Sequence, residues 1–169
     1  AEYWCVPRES VFGCTNSSAL NYSPVATVDD GSCYAQGACP PITPHLQATS
    51  EHALLEFTGG YHNNDLCQWD IQCGDKAVAL RFTSMDTESD YDFIRLYNGG
   101  SDGAPQIARN VFGNTVPPGT FGAAAGEMLV VFSANPLYVG DGFAAEYWCV
   151  PRESVFGCTN SSALNYSPV

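Results

Sequence analysis

Positive charge is scarce in this chain: six Lys and Arg residues stand against eighteen Asp and Glu, and Lys76 is the only lysine. The resulting formal net charge of −12 disfavours nucleic acid and anionic membrane surfaces as partners. It suits divalent cations or basic partners, and equally simple solubility. No apolar run is long enough for a membrane-spanning helix, so membrane insertion is not expected. The first residues also lack the basic, apolar pattern of a signal peptide, as expected of a mature or truncated chain. Histidine is limited to His45, His52 and His62, none of them in an HExxH arrangement, and neither a G-x-S-x-G elbow nor a P-loop occurs. Glu51 beside His52 reads as surface rather than as an acid/base pair. These gaps argue against an enzyme. Cysteines separated by two to four residues, the spacing of structural zinc sites, are missing as well.

What the chain does contain is a repeat. Residues 1–25 return without a substitution as 145–169, a period of 144 residues. That period is far longer than the units of helical solenoids and matches one ordinary domain plus a connector. Three accounts fit such identity: a homogenised tandem array, a window cut to represent one period of a filament, or an engineered concatenation. Counting the overlap once removes Glu146, Arg152 and Glu153, which takes the charge from −12 to −11. One period carries six cysteines, Cys14, Cys33, Cys39, Cys67, Cys73 and Cys149, an even set compatible with three bridges. Disulfides persist outside the cytosol, so an extracellular, secreted or cell-surface location is expected. Cys5 and Cys158 are then cut ends, unpaired within this chain, whose partners lie in neighbouring copies.

Residues 6–38 are dense in Pro, Ser, Asn, Asp and Gly and read as an ordered connector built from turns. From about residue 53 short alternating segments appear, LLEF, LCQWDIQC, VALRFTSM, DFIRLYN, QIARNVF, EMLVVFSA and GFAAEYWCV, separated by turn clusters. This predicts an all-β, antiparallel sandwich with one core of about 100 residues. Parity places Trp69 with Ile71, and Val78 with Leu80 and Phe82, on inner faces. Ile94 with Leu96, and Leu129 with Val131, are further inward candidates, while Asp70, Arg81 and Arg95 are expected to point outward. Ser50 to Phe57 is the one weak candidate for a helical turn.

Several separated motifs agree in order with one family. They are Cys39; Gly60, Tyr61 and Asn63; Cys67-Gln-Trp69-Asp-Ile71; Met85 through Glu88, Tyr91, Asp92 and Tyr97 to Gly99; and Val131-Phe132 through Asn135 to Gly142-Phe143 and Tyr147. Together they resemble the CUB domain family over residues 39–149. The resemblance implies a jelly-roll-type β-sandwich in a secreted protein, used for protein or glycan contacts. It also implies a Cys39–Cys67 bridge. The chain departs from the family by placing Cys73 and Cys149 at strand ends, and a Cys73–Cys149 cross-link is expected there. Residues 1–5 would then be the last strand of a preceding repeat, and 150–169 the start of the next connector. The connector, with Gly13-Cys14, Ala19 to Pro24 and Asp29 to Cys33, is similar to short cysteine-bracketed modules of secreted microbial repeat proteins. Cys14–Cys33 is its obvious bridge, worth about 3 kcal/mol in the chain-entropy account.

Some members of the family bind calcium at one end of the sandwich, and Glu88 and Asp92 match two of the acidic positions. Asn135 stands where the family usually has Asp, which lowers the charge; Asp86, Asp90 and Asp141 are candidates to compensate. Solvated loop carboxylates are the competing reading. Asp29 and Asp30, just before Gly31, are expected to cap turns rather than to bind an ion. Sequons mark Asn16 and Asn21, with copies at Asn160 and Asn165, as candidate glycosylation sites. Tyr3, Trp4, Tyr22, Tyr147, Trp148 and Tyr166 offer aromatic area suited either to bead-to-bead interfaces or to plain packing. The expected role is a non-enzymatic structural subunit of a secreted tandem-repeat fibre or surface appendage, with neighbouring copies of itself as partners. The alternative is a calcium-dependent adhesion or carbohydrate-binding module.

Overall fold

The computed structural model describes residues 10–19, 22–33, 35, 38–41 and 43–153. Eleven strands occur among them. The connector holds β1 (Phe12–Gly13) and β2 (Val28–Asp29), paired in parallel. The sandwich holds β3 (His45–Gln47), β4 (Ala53–Thr58), β5 (Leu66–Gln72), β6 (Ala77–Asp86), β7 (Phe93–Asn98), β8 (Gln106–Val111), β9 (Phe121–Ala123), β10 (Glu127–Ser133) and β11 (Gly142–Val150). One sheet runs β3-β5-β10-β7-β8 and the other β4-β11-β6-β9. Every ladder of the two sheets is antiparallel except β3 with β5. The all-β sandwich expected from the alternating segments is therefore present, and no helix occurs among the described residues.

Inner faces follow the two-residue period of a strand. Leu55 and Phe57 of β4, Trp69 and Ile71 of β5, Val78, Leu80 and Phe82 of β6, and Ile94 and Leu96 of β7 are buried in one cluster. Phe57 packs on Trp69, Phe132 and Phe143 with ring centroids 5.2 to 5.9 Å apart, so aromatic rings from both sheets fill the centre. Burial of each such ring stabilises the fold by about 1.5–3 kcal/mol.

Three expectations need correction, and a fourth, the outward direction of Asp70, holds without the exposure that usually goes with it. Ser50 to Phe57 forms no helical turn: its second half is the start of β4, an edge strand that pairs with β11. Leu129 and Val131 are buried but lie on the outer face of the five-stranded sheet, while Met128, Val130 and Phe132 enter the core. β10 is an inner strand between β5 and β7, and Leu129 and Val131 on its outer face are only 3% and 6% exposed, so both faces are buried and its apolar residues carry no alternation. Asp70 does point away from the core, but it is only 4% exposed, covered by its neighbours on that face. Finally, the connector is not made of turns alone, since β1 and β2 pair within it.

Three disulfides close among the described residues: Cys14–Cys33, Cys39–Cys67 and Cys73–Cys149, with Cα separations of 4.8, 5.0 and 5.6 Å. The last two lie at opposite ends of β5. Cys67 is its second residue and Cys73 directly follows its last, Gln72. Cys149 sits near the end of β11, where its N–H donates to the Thr49 carbonyl. Cys5 and Cys158 lie outside the described residues.

Candidate functional site

The loops at the β4–β5, β6–β7 and β10–β11 connections meet at one end of the sandwich, and Asp92 is their hub. It immediately precedes β7 and is fully buried. Its Oδ2 accepts from the Tyr61 hydroxyl at 2.5 Å and its Oδ1 from the Asn135 N–H at 2.7 Å. Tyr61 in turn accepts from the Glu88 N–H at 3.0 Å. Burial pushes the Tyr61 phenol up to about 12, and the bond to Asp92 adds to the rise. Thr87 clamps the same loop, accepting from the Gly113 N–H at 2.9 Å.

Glu88, Asp92 and Asn135 are thus brought together. The Asn135 amide donates through Nδ2 to Glu88 Oε2 at 2.7 Å, and its Oδ1 accepts from the Leu137 N–H at 2.7 Å. The two bonds fix the sense of the amide: its carbonyl oxygen faces its own loop and its NH2 faces the carboxylate. Calcium takes six to eight oxygen ligands. The two carboxylates suit such an ion, whereas Asn135 presents a donor to them. Asp86, Asp90 and Asp141 do not complete the set. Asp86 and Asp141 are exposed and tied to each other, the Asp141 N–H donating to Asp86 Oδ2 at 2.9 Å. Asp90 is exposed with φ +67. Among the described residues only Cys39, Asp65 and Cys67 gather three ligand atoms of the kinds that bind metals, and there both sulfurs are spent in a disulfide.

In the connector, Asp29 Oδ1 accepts from the Gly31 N–H at 2.8 Å and Asp30 Oδ1 from the Ser32 N–H at 2.9 Å, two side-chain turns in succession. The Gly31 bond, followed by that from Thr15, holds the Asp29 carboxyl below the usual range. Asn16 is exposed, with its side-chain oxygen on the Ser18 N–H at 3.0 Å; Asn21, Asn160 and Asn165 lie outside the described residues. A cleft of about 590 Å³ runs between the connector and β3, with Phe12, Asp30, His45 and Gln47 in its walls.

The aromatic residues separate. Tyr22 is 43% exposed in the connector. Tyr147, a candidate for either interface or plain packing, is part of the core, because it shares the inner face of β11 with Ala145. Trp148 stacks on His52 with centroids 4.0 Å apart. His52 also meets Glu146, whose carboxyl is held low by Arg81 first and His52 second. Tyr3, Trp4 and Tyr166 lie outside the described residues.

One pairing is invisible in the sequence. His45 Nδ1 lies 2.7 Å from Asp70 Oδ2, which also accepts from Gln72 Nε2 at 2.7 Å. The register that sets His45 opposite Asp70 belongs to the parallel β3–β5 pair, and a three-residue strand leaves no alternation to detect it by.

The family described as "CUB domain" matches residues 44–147, more than half of the chain. Procollagen C-endopeptidase enhancer 2 of Mus musculus is 36% identical over 96 residues, covering 54% of this chain and 22% of the relative. Cubilin of Canis lupus familiaris is 33% identical over 121 residues, 67% of this chain and 3% of its own length. The chain therefore spans only a small part of these relatives. Among solved structures, the human MASP-1/3 CUB1-EGF-CUB2 domains match with a TM-score of 0.54 at 15% identity, covering 74% of this chain and 49% of that one. The calcium-bound MASP-1 CUB2 domain matches with a TM-score of 0.50 at 16% identity, covering 61% of this chain and 96% of that one. No helix among the described residues is long and apolar enough to cross a membrane. Family match and sandwich agree: the chain belongs to the CUB domain family.

Proposed function

We propose that this chain covers one period, with its 25-residue overlap, of a secreted, non-enzymatic structural polymer, a fibre or surface appendage whose CUB beads are joined end to end through disulfide-closed connectors. The observation that carries the reading is where the chain comes in and where it leaves. It joins the sandwich at Cys39, bonded to the start of β5, and leaves at Cys149, bonded just beyond the end of β5. The residues that follow, 150–169, repeat the connector's beginning without a change. A bead with its two attachments at opposite ends propagates along a line, and each neighbour is another copy. Tyr22 and Phe12, both exposed in the connector, supply apolar area at the joint. Glycans at Asn16 and Asn21 would coat that joint. The acidic charge keeps such beads soluble and unsuited to nucleic acid. Native material examined under non-reducing conditions is expected to be multimeric; isolated, non-associating monomers would overturn the reading.

A second reading is favoured by Glu88 and Asp92, and by the calcium held by the structurally similar MASP-1 CUB2 domain. In it the loop end takes calcium and serves adhesion or carbohydrate binding. Glu88 and Asp92 would hold the ion, and Asn135 would add its carbonyl oxygen only after turning its amide away from the Leu137 N–H. An ion there would supply charge that ties the three loops together. Calcium titration by calorimetry, with a chelator control, decides it: no heat and no shift in melting remove this reading.

A further inference from the structure

The two sandwich disulfides share one strand, and that has a mechanical consequence. Cys39 bonds Cys67 and Cys73 bonds Cys149. A covalent path from residue 39 to residue 149 therefore runs through the first bridge, along residues 67–73, and through the second bridge. It bypasses residues 40–66 and 74–148, which include β4, β6 to β11 and most of the core. We propose that this path is a tension bypass: axial force on the bead is carried by β5 and its two disulfides, and the folded sandwich stays unloaded.

The strand in the path is suited to the task. β5 is already extended, and a strand rises about 3.3 Å per residue against an extended limit of about 3.3–3.6 Å, so pulling it releases almost no length. It is held on both sides, by β3 and by β10, and its inward residues Trp69 and Ile71 are fully buried. The remaining strands hang from the path in two disulfide-closed loops, residues 40–66 and 74–148, that lie off the line of force, and the bypass itself yields only by breaking a covalent bond. Cys14–Cys33 does the same for the connector, taking residues 15–32 off the line of force. This inference deepens the polymer reading and rests on it for its purpose. There Cys5, identical in position to Cys149, closes the same bridge in the preceding bead, so only residues 5–14, 33–39 and 67–73 of each period bear load.

The test is single-molecule force spectroscopy on the oxidised 169-residue chain, held by tags at its two termini. The bypass predicts that, once the connector segments straighten, no step of more than a few tens of Å follows, because residues 39 and 149 are already as far apart as the path permits. Reduction under load should free the whole span from 39 to 149, a step of roughly 350 Å. Replacing Cys73 and Cys149 together by Ser should release roughly 250 Å without reductant, and replacing Cys39 and Cys67 together roughly 90 Å. Should a paired variant fail to fold, reduction of the wild-type chain under load decides the same point. A step of hundreds of Å from the oxidised wild type, or no lengthening on reduction, would overturn the inference. Because a single chain is held by its own ends, this result is independent of whether copies associate; monomeric native material would sink the polymer reading alone.

Discussion

Tyr61 and Asp92 form a buried, directly hydrogen-bonded pair at the loop end of the sandwich. A fully buried carboxylate is tolerable only when its oxygens are hydrogen-bonded, and Tyr61 supplies one of the two bonds shown for Asp92. Tyr61→Phe is expected to lower stability by about 1–3 kcal/mol in urea unfolding, the cost of leaving that oxygen unpaired. The phenol also sets a pH dependence. Its folded pKa is raised to about 12 from an ordinary value near 10, so its contribution is complete below about pH 10 and is lost as pH climbs through 12. The unfolding free energy of the wild type should fall across that window more steeply than that of Tyr61→Phe. At Asn135 the sign is set by charge. Asn135→Asp replaces the donor to Glu88 with a third carboxylate, so melting temperature should drop in chelator and recover on adding calcium. No difference between the two conditions would show that the loop end does not respond to the ion even when given the missing charge.

At the scale of elements, β11 depends on a glycine. Gly142 starts the strand at φ +103, and a β-carbon there would collide with the Phe57 carbonyl oxygen of the neighbouring β4. Gly142→Ala should therefore destabilise the β4–β11 edge, seen as faster amide exchange in both strands; unchanged exchange would contradict the geometry. In the connector, replacing Cys14 and Cys33 by Ser should cost about 3 kcal/mol of local stability and expose residues 15–32 to proteolysis while the sandwich stays intact. The same scale shows what the sequence could tell. LCQWDIQ alternates, so the inner face of β5 was legible, and those of VALRF in β6 and FIRL in β7 likewise. EMLVVFS does not alternate, because β10 is covered on both faces, and the pair Leu129 and Val131 was as apolar as the true inner set. β3 and β9 have three residues each, too few for any period to appear. Asp70 points outward as parity predicts, but its cover by neighbours was not legible, because parity gives direction and not cover. The loop-end trio was legible through family resemblance alone; its bonds, and Tyr61's part in them, depend on contacts between loops far apart in sequence.

For the whole molecule the decisive feature was visible before any fold, as 25 residues repeated at a distance of 144. In the structure the chain joins and leaves the bead at opposite ends of β5, with a covalent line between them, and the proposed linear propagation rests on that arrangement. With β11 spanning nine residues, the bead is about 30 Å long in the strand direction. The measurement that bears most directly on the central claim is electron microscopy of native, non-reduced material, combined with its mass per unit length. The account predicts linear filaments with one bead per 144-residue period and an axial repeat of at least about 30 Å. Dispersed single beads of one period's mass, with no filament at any concentration, would contradict it.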